Sequence, residues 1–191
     1  MFKRFALLFC SACIVAVLSS CGAGDLGGGV GEFTTVNATA TALTSRLESD
    51  IVKGNTCSDS VSTGGTVVTD SVNVTFASKA LYTTGALDLV ISRITIHYTP
   101  VNPATTPPLA DSFASISQTV APGDAPTIPV AVLTDAQKIA LMERTTLPMT
   151  LCSSTVFEYY VDIVFDVSEV GGKGDTHPVT AKMNLAVADR I

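Results

Sequence analysis

Phe157-Glu158-Tyr159-Tyr160-Val161-Asp162-Ile163-Val164-Phe165-Asp166-Val167 sets Phe157, Tyr159, Val161, Ile163, Phe165 and Val167 at every second position, with Glu158, Tyr160, Asp162, Val164 and Asp166 between them. Side chains of an extended chain point alternately to two faces, so a period of two with one apolar face marks a strand covered on one side. After a Gly171-Gly172-Lys173-Gly174-Asp175 turn, Val179, Ala181, Met183, Leu185 and Val187 repeat the pattern. Two such runs joined by a glycine-rich turn predict an antiparallel hairpin.

The same period recurs upstream. Val72, Val74 and Phe76 alternate with Asn73 and Thr75, and Val90, Ser92, Ile94, Ile96 and Tyr98 alternate with Ile91, Arg93, Thr95, His97 and Thr99. Weaker strands are expected over 113–120, over 128–132 and over 34–43, although the alanines of the last and its continuation through Leu47 and Ile51 also fit a helix. Pro126 and Pro129 put the 128–132 strand at a sheet edge, because proline cannot donate to a ladder. The glycine-rich stretch 53–65 and the proline-rich stretch 100–108 read as loops. Thr134-Asp135-Ala136-Gln137 matches a capping box, which predicts a helix of about three turns near 134–144, with Ile139, Ala140 and Met142 on its apolar face.

About seven strands with one short helix between the fifth and sixth predict an all-β chain folded as an antiparallel β-sandwich. The pattern over 34–188 resembles an immunoglobulin-like or fibronectin-type sandwich, in which the connection between the fifth and sixth strands often carries a helical turn. The chain has no tryptophan, so it lacks the core tryptophan of antibody domains.

The N-terminal region has a different grammar. Lys3 and Arg4 precede an apolar run from Ala6 to Leu18 broken only by Ser11, and small Ser19 and Ser20 follow. This is the charged, apolar, small-residue order of a signal peptide, and the run is shorter than the roughly 20 residues needed to span a bilayer. Leu18-Ser19-Ser20-Cys21, followed by Gly22, resembles the bacterial lipobox. The resemblance implies that residues 1–20 are a lipoprotein signal peptide and that Cys21 is the lipidation site and first mature residue. Two or more acyl chains there give a stable membrane anchor. Gly22, in place of the aspartate that retains lipoproteins at the inner membrane of enteric bacteria, implies an address at the outer membrane, facing the periplasm or the cell surface. Residues 21–33, with the glycines of 22–31, then read as a tether and 34–191 as the sandwich domain.

Composition narrows the function. Removing 1–20 takes the basic residues from eleven to nine against an unchanged seventeen acidic ones, so the net charge moves from -6 to -8. With no basic patch along the chain, nucleic acid is not an expected partner. Cys10 and Cys13 leave with the signal, and Cys57 and Cys152 remain beside the anchor. In an oxidising envelope these two are expected to pair; two buried thiols or a redox pair are the alternatives.

No catalytic constellation emerges. His97 and His177 are the only histidines and show no metal-ligand spacing. His97 shares a face with Arg93 and Thr95 and reads as a solvated strand residue. Glu158, Asp162 and Asp166 form an acidic row, but successive members lie about 13 Å apart in a strand at about 3.3 Å per residue, too far for a glycosidase carboxylate pair. Lys182 or Arg190 is the expected counter-charge. Tyr160, pointing outward, is the large aromatic most suited to touching a partner. No cofactor, metal or catalytic residue is assigned. The expectation is a non-enzymatic, lipid-anchored cell-envelope module that meets a protein partner. The alternative is a lipoprotein binding a metal, peptide or sugar in its loops.

Overall fold

The structure is a computed structural model and describes residues 30–171 and 175–190. Eleven strands and one helix follow in order: β1 Val30–Glu32, β2 Val36–Ala42, β3 Arg46–Asp50, β4 Lys53–Ser58, β5 Val61–Thr66, β6 Asp70–Ala80, β7 Leu89–Pro100, β8 Ser112–Val120, β9 Thr127–Leu133, α1 Asp135–Met142, β10 Val156–Glu169 and β11 His177–Ala188. They form a four-stranded sheet ordered β1-β2-β6-β9, a five-stranded sheet ordered β3-β11-β10-β7-β8, and a separate β4-β5 hairpin.

The two larger sheets face each other across one core. The alternating residues of the sequence supply it: Val74 and Phe76 from β6, Ile94 and Ile96 from β7, and Ile163 and Phe165 from β10 are all buried. Strands β10 and β11 pair antiparallel from Val156↔Ala188 to Val167↔His177, so the expected hairpin forms with its apolar face inward. Strand β7 flanks β10 on the other side, from Tyr159↔Pro100 to Glu169↔Leu89, which makes β10 a central strand.

The order β2-β6-β9 opposite β11-β10-β7-β8 is the A-B-E and G-F-C-C′ arrangement of an immunoglobulin-like sandwich, with the helix between E and F. The position next to E, where such folds carry strand D, holds no strand among the described residues. Antibody domains tie strands B and F together with a disulfide. Here Phe76 of β6 and Phe165 of β10 meet instead, with ring centroids 5.5 Å apart. Tyr98 of β7 adds a polar tie across the core, donating its hydroxyl proton to Val132 O of β9 at 2.5 Å. Burial pushes the Tyr98 phenol up from its ordinary value, so it stays protonated and remains a donor.

The seven strands expected from periodicity are β2 and β6 to β11; four further strands were not. Stretch 53–65 is the β4-β5 hairpin, paired from Lys53↔Thr66 to Ser58↔Val61, and not a loop. Gly65 is required within it. Its φ is +79°, and a Cβ there would lie 2.7 Å from Val52 Cγ1 and 2.8 Å from Asn55 N. Strand β3 runs parallel to β11, from Asn184↔Arg46 to Ala188↔Asp50, so the sandwich is antiparallel except at this edge. Strand β1 lies inside the stretch expected to be tether and pairs with β2 from Val30↔Thr39 to Glu32↔Asn37. Strand β9 is an edge strand, as its prolines require.

The capping box forms as expected: Thr134 Oγ1 accepts from Gln137 N at 3.2 Å, and Gln137 Oε1 accepts from Thr134 N at 3.0 Å. The helix is eight residues long, close to two turns and not three. Of its expected apolar face only Met142 packs against the core, and Ala140 is exposed. Lys138 and Leu141 are its buried residues, whereas Ile139 is 40% exposed.

Candidate functional site

Lys138 explains the helix orientation. Its side chain is fully buried, and Nζ lies 2.8 Å from Asp70 Oδ2 at the start of β6 and donates to Asp50 O at 2.6 Å at the end of β3. Ser49 Oγ donates to the same Asp70 oxygen at 2.5 Å. One ammonium thus fastens the helix to one strand of each sheet, and its partners account for the charge that burial would otherwise oppose.

A second polar centre lies beside the β4-β5 hairpin. Cys57 of β4 and Cys152, in the segment between α1 and β10, form a disulfide with Cα atoms 5.5 Å apart across 95 residues of chain. The buried carboxylate of Asp189 sits against it and accepts from Cys152 N at 2.5 Å and from Asn55 Nδ2 at 2.9 Å. Asn55 Nδ2 also donates to Ser62 Oγ at 2.9 Å, which closes the hairpin over the bridge. Cys57, Cys152 and Asp189 are the one group of potential metal ligands that lies close together among the described residues. With both sulfurs bonded to each other, neither is the thiolate that a metal would need, and the cluster is a structural clasp.

The acidic row lies on the outer face of β10, as its spacing requires, and its members meet different neighbours. Glu158 Oε1 accepts from Arg46 Nη2 of β3 at 2.8 Å. Asp162 stands in register between Lys182 and His97, and Asp166 between Pro178 and Arg93. Arg190 pairs with Glu48 instead. The positive side chains of both neighbouring strands interleave with the row, which makes it a solvated, charge-balanced sheet face. His97 pairs with Asp111 at 2.7 Å on the surface, and His177 rests edge-on against Phe33 with centroids 5.4 Å apart. The two histidines therefore serve separate contacts. Tyr160 is 55% exposed, consistent with an outward-facing aromatic.

At the opposite end, Glu169 receives Thr35 N–H at 2.7 Å and Thr35 Oγ–H at 2.9 Å. Burial raises its carboxyl pKa, but these bonds and those of Thr34 outweigh it and hold the group below its ordinary value of 4.5. A depressed carboxylate stabilises the fold above the unfolded value and loses that contribution as pH falls through the folded one. Glu169→Gln is therefore expected to unfold at lower temperature than the parent at pH 7. The gap should narrow below about pH 4.5, as thermal unfolding from pH 3 to 7 would record; a gap constant over that range would remove the carboxylate's role.

A concavity lies between the free edges of β8 and β9, on the side where the described residues hold no strand D. It has a volume of about 380 Å³ and is lined by Ile94 and Ile96 at its floor, by Ile116 on one wall and by Ile128 and Val130 on the other. No Lys, Arg, Asp or Glu lines it. Such a size falls in the range of binding sites, yet the lining is aliphatic, with Phe113 its single aromatic and no convergent set of charged groups for a small polar ligand.

Comparison with protein-family models, with curated protein sequences and with solved structures returned no match. The site is therefore read from its own chemistry. Periodicity had located β8 and β9 but not the groove, which depends on an absent strand. Asp189, Asn55 and Lys138 carried no motif, and their roles follow from tertiary contacts. Cys21 and the residues before it lie outside the described part of the chain, as do Gly172 to Gly174.

Proposed function

We propose that this protein is a lipid-anchored component of the cell envelope, held at the outer membrane through Cys21, and that it acts as a non-enzymatic interaction module for an envelope protein. The observation that carries the reading is Leu18-Ser19-Ser20-Cys21, placed directly behind a charged start and a short apolar run. The Cys57–Cys152 bridge supports it independently, because such disulfides persist in oxidising compartments. The acidic balance of the chain and the uncharged groove support a protein partner over nucleic acid.

The test is Cys21→Ala in a bacterial host with its own lipoprotein-processing machinery. The variant is expected to accumulate as the uncleaved precursor and to lose the mass of the acyl chains. Maturation to the same mass and the same membrane fraction as the parent would refute the anchor. The second reading is a lipoprotein binding a peptide, sugar or metal, and the uncharged aliphatic groove between β8 and β9 favours only its peptide form. A thermal shift produced by one such ligand class, and absent with the others, would select it.

A further inference from the structure

A disulfide is reduced when a thiolate attacks one sulfur and the other sulfur leaves as a thiolate, so negative charge gathers along the line of sulfurs. The charge placed beside a bridge therefore governs how readily it exchanges. Cys57 and Cys152 are each only half-buried, and burial alone does not close their bridge to a small thiol.

The group set against this bridge is a carboxylate. Asp189 Oδ2 lies 3.7 Å from Cys57 Sγ, and both sulfurs are within 4.8 Å of an Asp189 oxygen. The end of β3 holds the chain on either side of it: Ile51 N donates to Ala188 O at 2.8 Å, and Arg190 N donates to Asp50 Oδ1 at 3.0 Å. Asp189 is 6% exposed, and its donors, Asn55 Nδ2 and Cys152 N, are neutral. Among the described residues no lysine or arginine pairs with it; Arg190 turns to Glu48, and Lys138 is engaged with Asp70 and Asp50 O. Its charge is thus neither cancelled by an ion pair nor well screened by water. The same carboxylate steadies Cys152, whose φ of +55° is a conformation that a residue with a side chain keeps only under local constraint.

We propose that Asp189 shields the Cys57–Cys152 bridge from thiol–disulfide exchange, so that the clasp over the β4-β5 hairpin stays closed in the presence of small thiols and dithiol proteins. In the reaction it opposes, a reductant thiolate bonds to one bridge sulfur as the S–S bond breaks and the other sulfur leaves as a thiolate. A second reductant thiolate then displaces the remaining cysteine, the reductant departs as its own disulfide, and both cysteine thiolates take protons from water. Two electrons pass from the reductant to the bridge. Each step brings an incoming and a departing thiolate beside the carboxylate, where like charges repel. The inference rests on the fold and does not depend on the lipid anchor.

The test measures how fast excess 2-mercaptoethanol reduces the bridge in the purified protein, read by alkylation and mass, for the parent and for Asp189→Asn. The variant keeps an oxygen to accept from Cys152 N and removes the charge. It should be reduced about tenfold faster or more. Tris(hydroxypropyl)phosphine, an uncharged reductant, separates charge from loosening: its rate should rise by less than about threefold, because no anion approaches the carboxylate. Should the variant fail to fold with its bridge formed, the parent alone serves, at about 0.5 M salt to screen distant charges. Cysteamine should then reduce it about tenfold faster than 2-mercaptoethanesulfonate, each rate taken relative to that thiol's rate with hydroxyethyl disulfide. Equal rates for parent and variant, equal acceleration by the thiol and the phosphine, or a parent without preference for the cationic thiol would overturn the proposal.

Discussion

Replacing Cys57 and Cys152 together with serine is expected to cost about 4 kcal/mol of stability and to lower the unfolding temperature by roughly 8–16 °C. The bridge joins points 95 residues apart, and a loop of that size has a large closure entropy in the unfolded chain, about 4–5 kcal/mol by the chain-entropy argument. Its local role adds to this. Strands β4 and β5 form their own two-stranded sheet, and two-stranded hairpins are marginal in water. The disulfide, with Asp189 and Asn55 bonded around it, is what fastens this hairpin to the segment before β10. Thermal unfolding of parent and double variant at neutral pH checks the expectation. An unfolding temperature within about 2 °C of the parent would show that the bridge contributes little.

Lys138→Ala is the second substitution with a large expected effect. It removes a cation whose side chain has no accessible surface and leaves Asp70, with 24% of its side chain accessible, facing Ser49 alone among its present partners. Breaking a buried pair in this way costs about 3–5 kcal/mol, and the partial access of Asp70 to water places this case at the lower end, about 3 kcal/mol. The lost alkyl stem leaves a cavity at the junction of the helix with both sheets, which adds to the loss. Lys138→Met combined with Asp70→Asn should recover most of the stability, because volume is retained and no charge is left unpaired. Chemical denaturation of the three proteins gives the comparison. Equal losses in the single and double variants would assign the effect to the helix backbone and not to the ion pair.

Lys138 also marks the limit of sequence reading for this fold. The apolar side was assigned to Ile139, Ala140 and Met142, and nothing in the local sequence marks Lys138 as buried; its pair with Asp70 becomes evident only when β6 is brought beside the helix. Strands β6, β9, β10 and β11 were legible because each carries a period-two apolar face, most clearly in Phe157 to Val167; in β7 the pattern changes face at Ser92-Arg93, so that Leu89 and Ile91, and not Val90 and Ser92, are buried with Ile94 and Ile96. Strands β4 and β5 were not. Apart from buried Asn55, most of their residues are wholly or partly exposed, and Gly54, Gly64 and Gly65 suggest a loop. Strand β3 is held by parallel pairing to β11, a long-range contact that its Arg-Leu-Glu-Ser-Asp sequence does not encode.

The site divides in the same way. The Cys57–Cys152 pair follows from counting cysteines after the signal is set aside, but Asp189, which completes the clasp, has no local signature. The catalytically unhelpful spacing of Glu158, Asp162 and Asp166 followed from strand geometry alone. Arg46 as the partner of Glu158 did not, since it depends on β3 lying beside β11. The β8 edge could be seen as an uncharged strand, whereas its freedom depends on the strand order of the whole sandwich.

The central claim, a protein held to the envelope through Cys21, is tested most directly by mass spectrometry of the N-terminal peptide of the protein extracted from membranes. The account predicts a peptide that begins at Cys21 and carries a diacylglyceryl group on its sulfur, with or without a further acyl chain on its amine. An unmodified Cys21, or a peptide that still begins within residues 1–20, would contradict it.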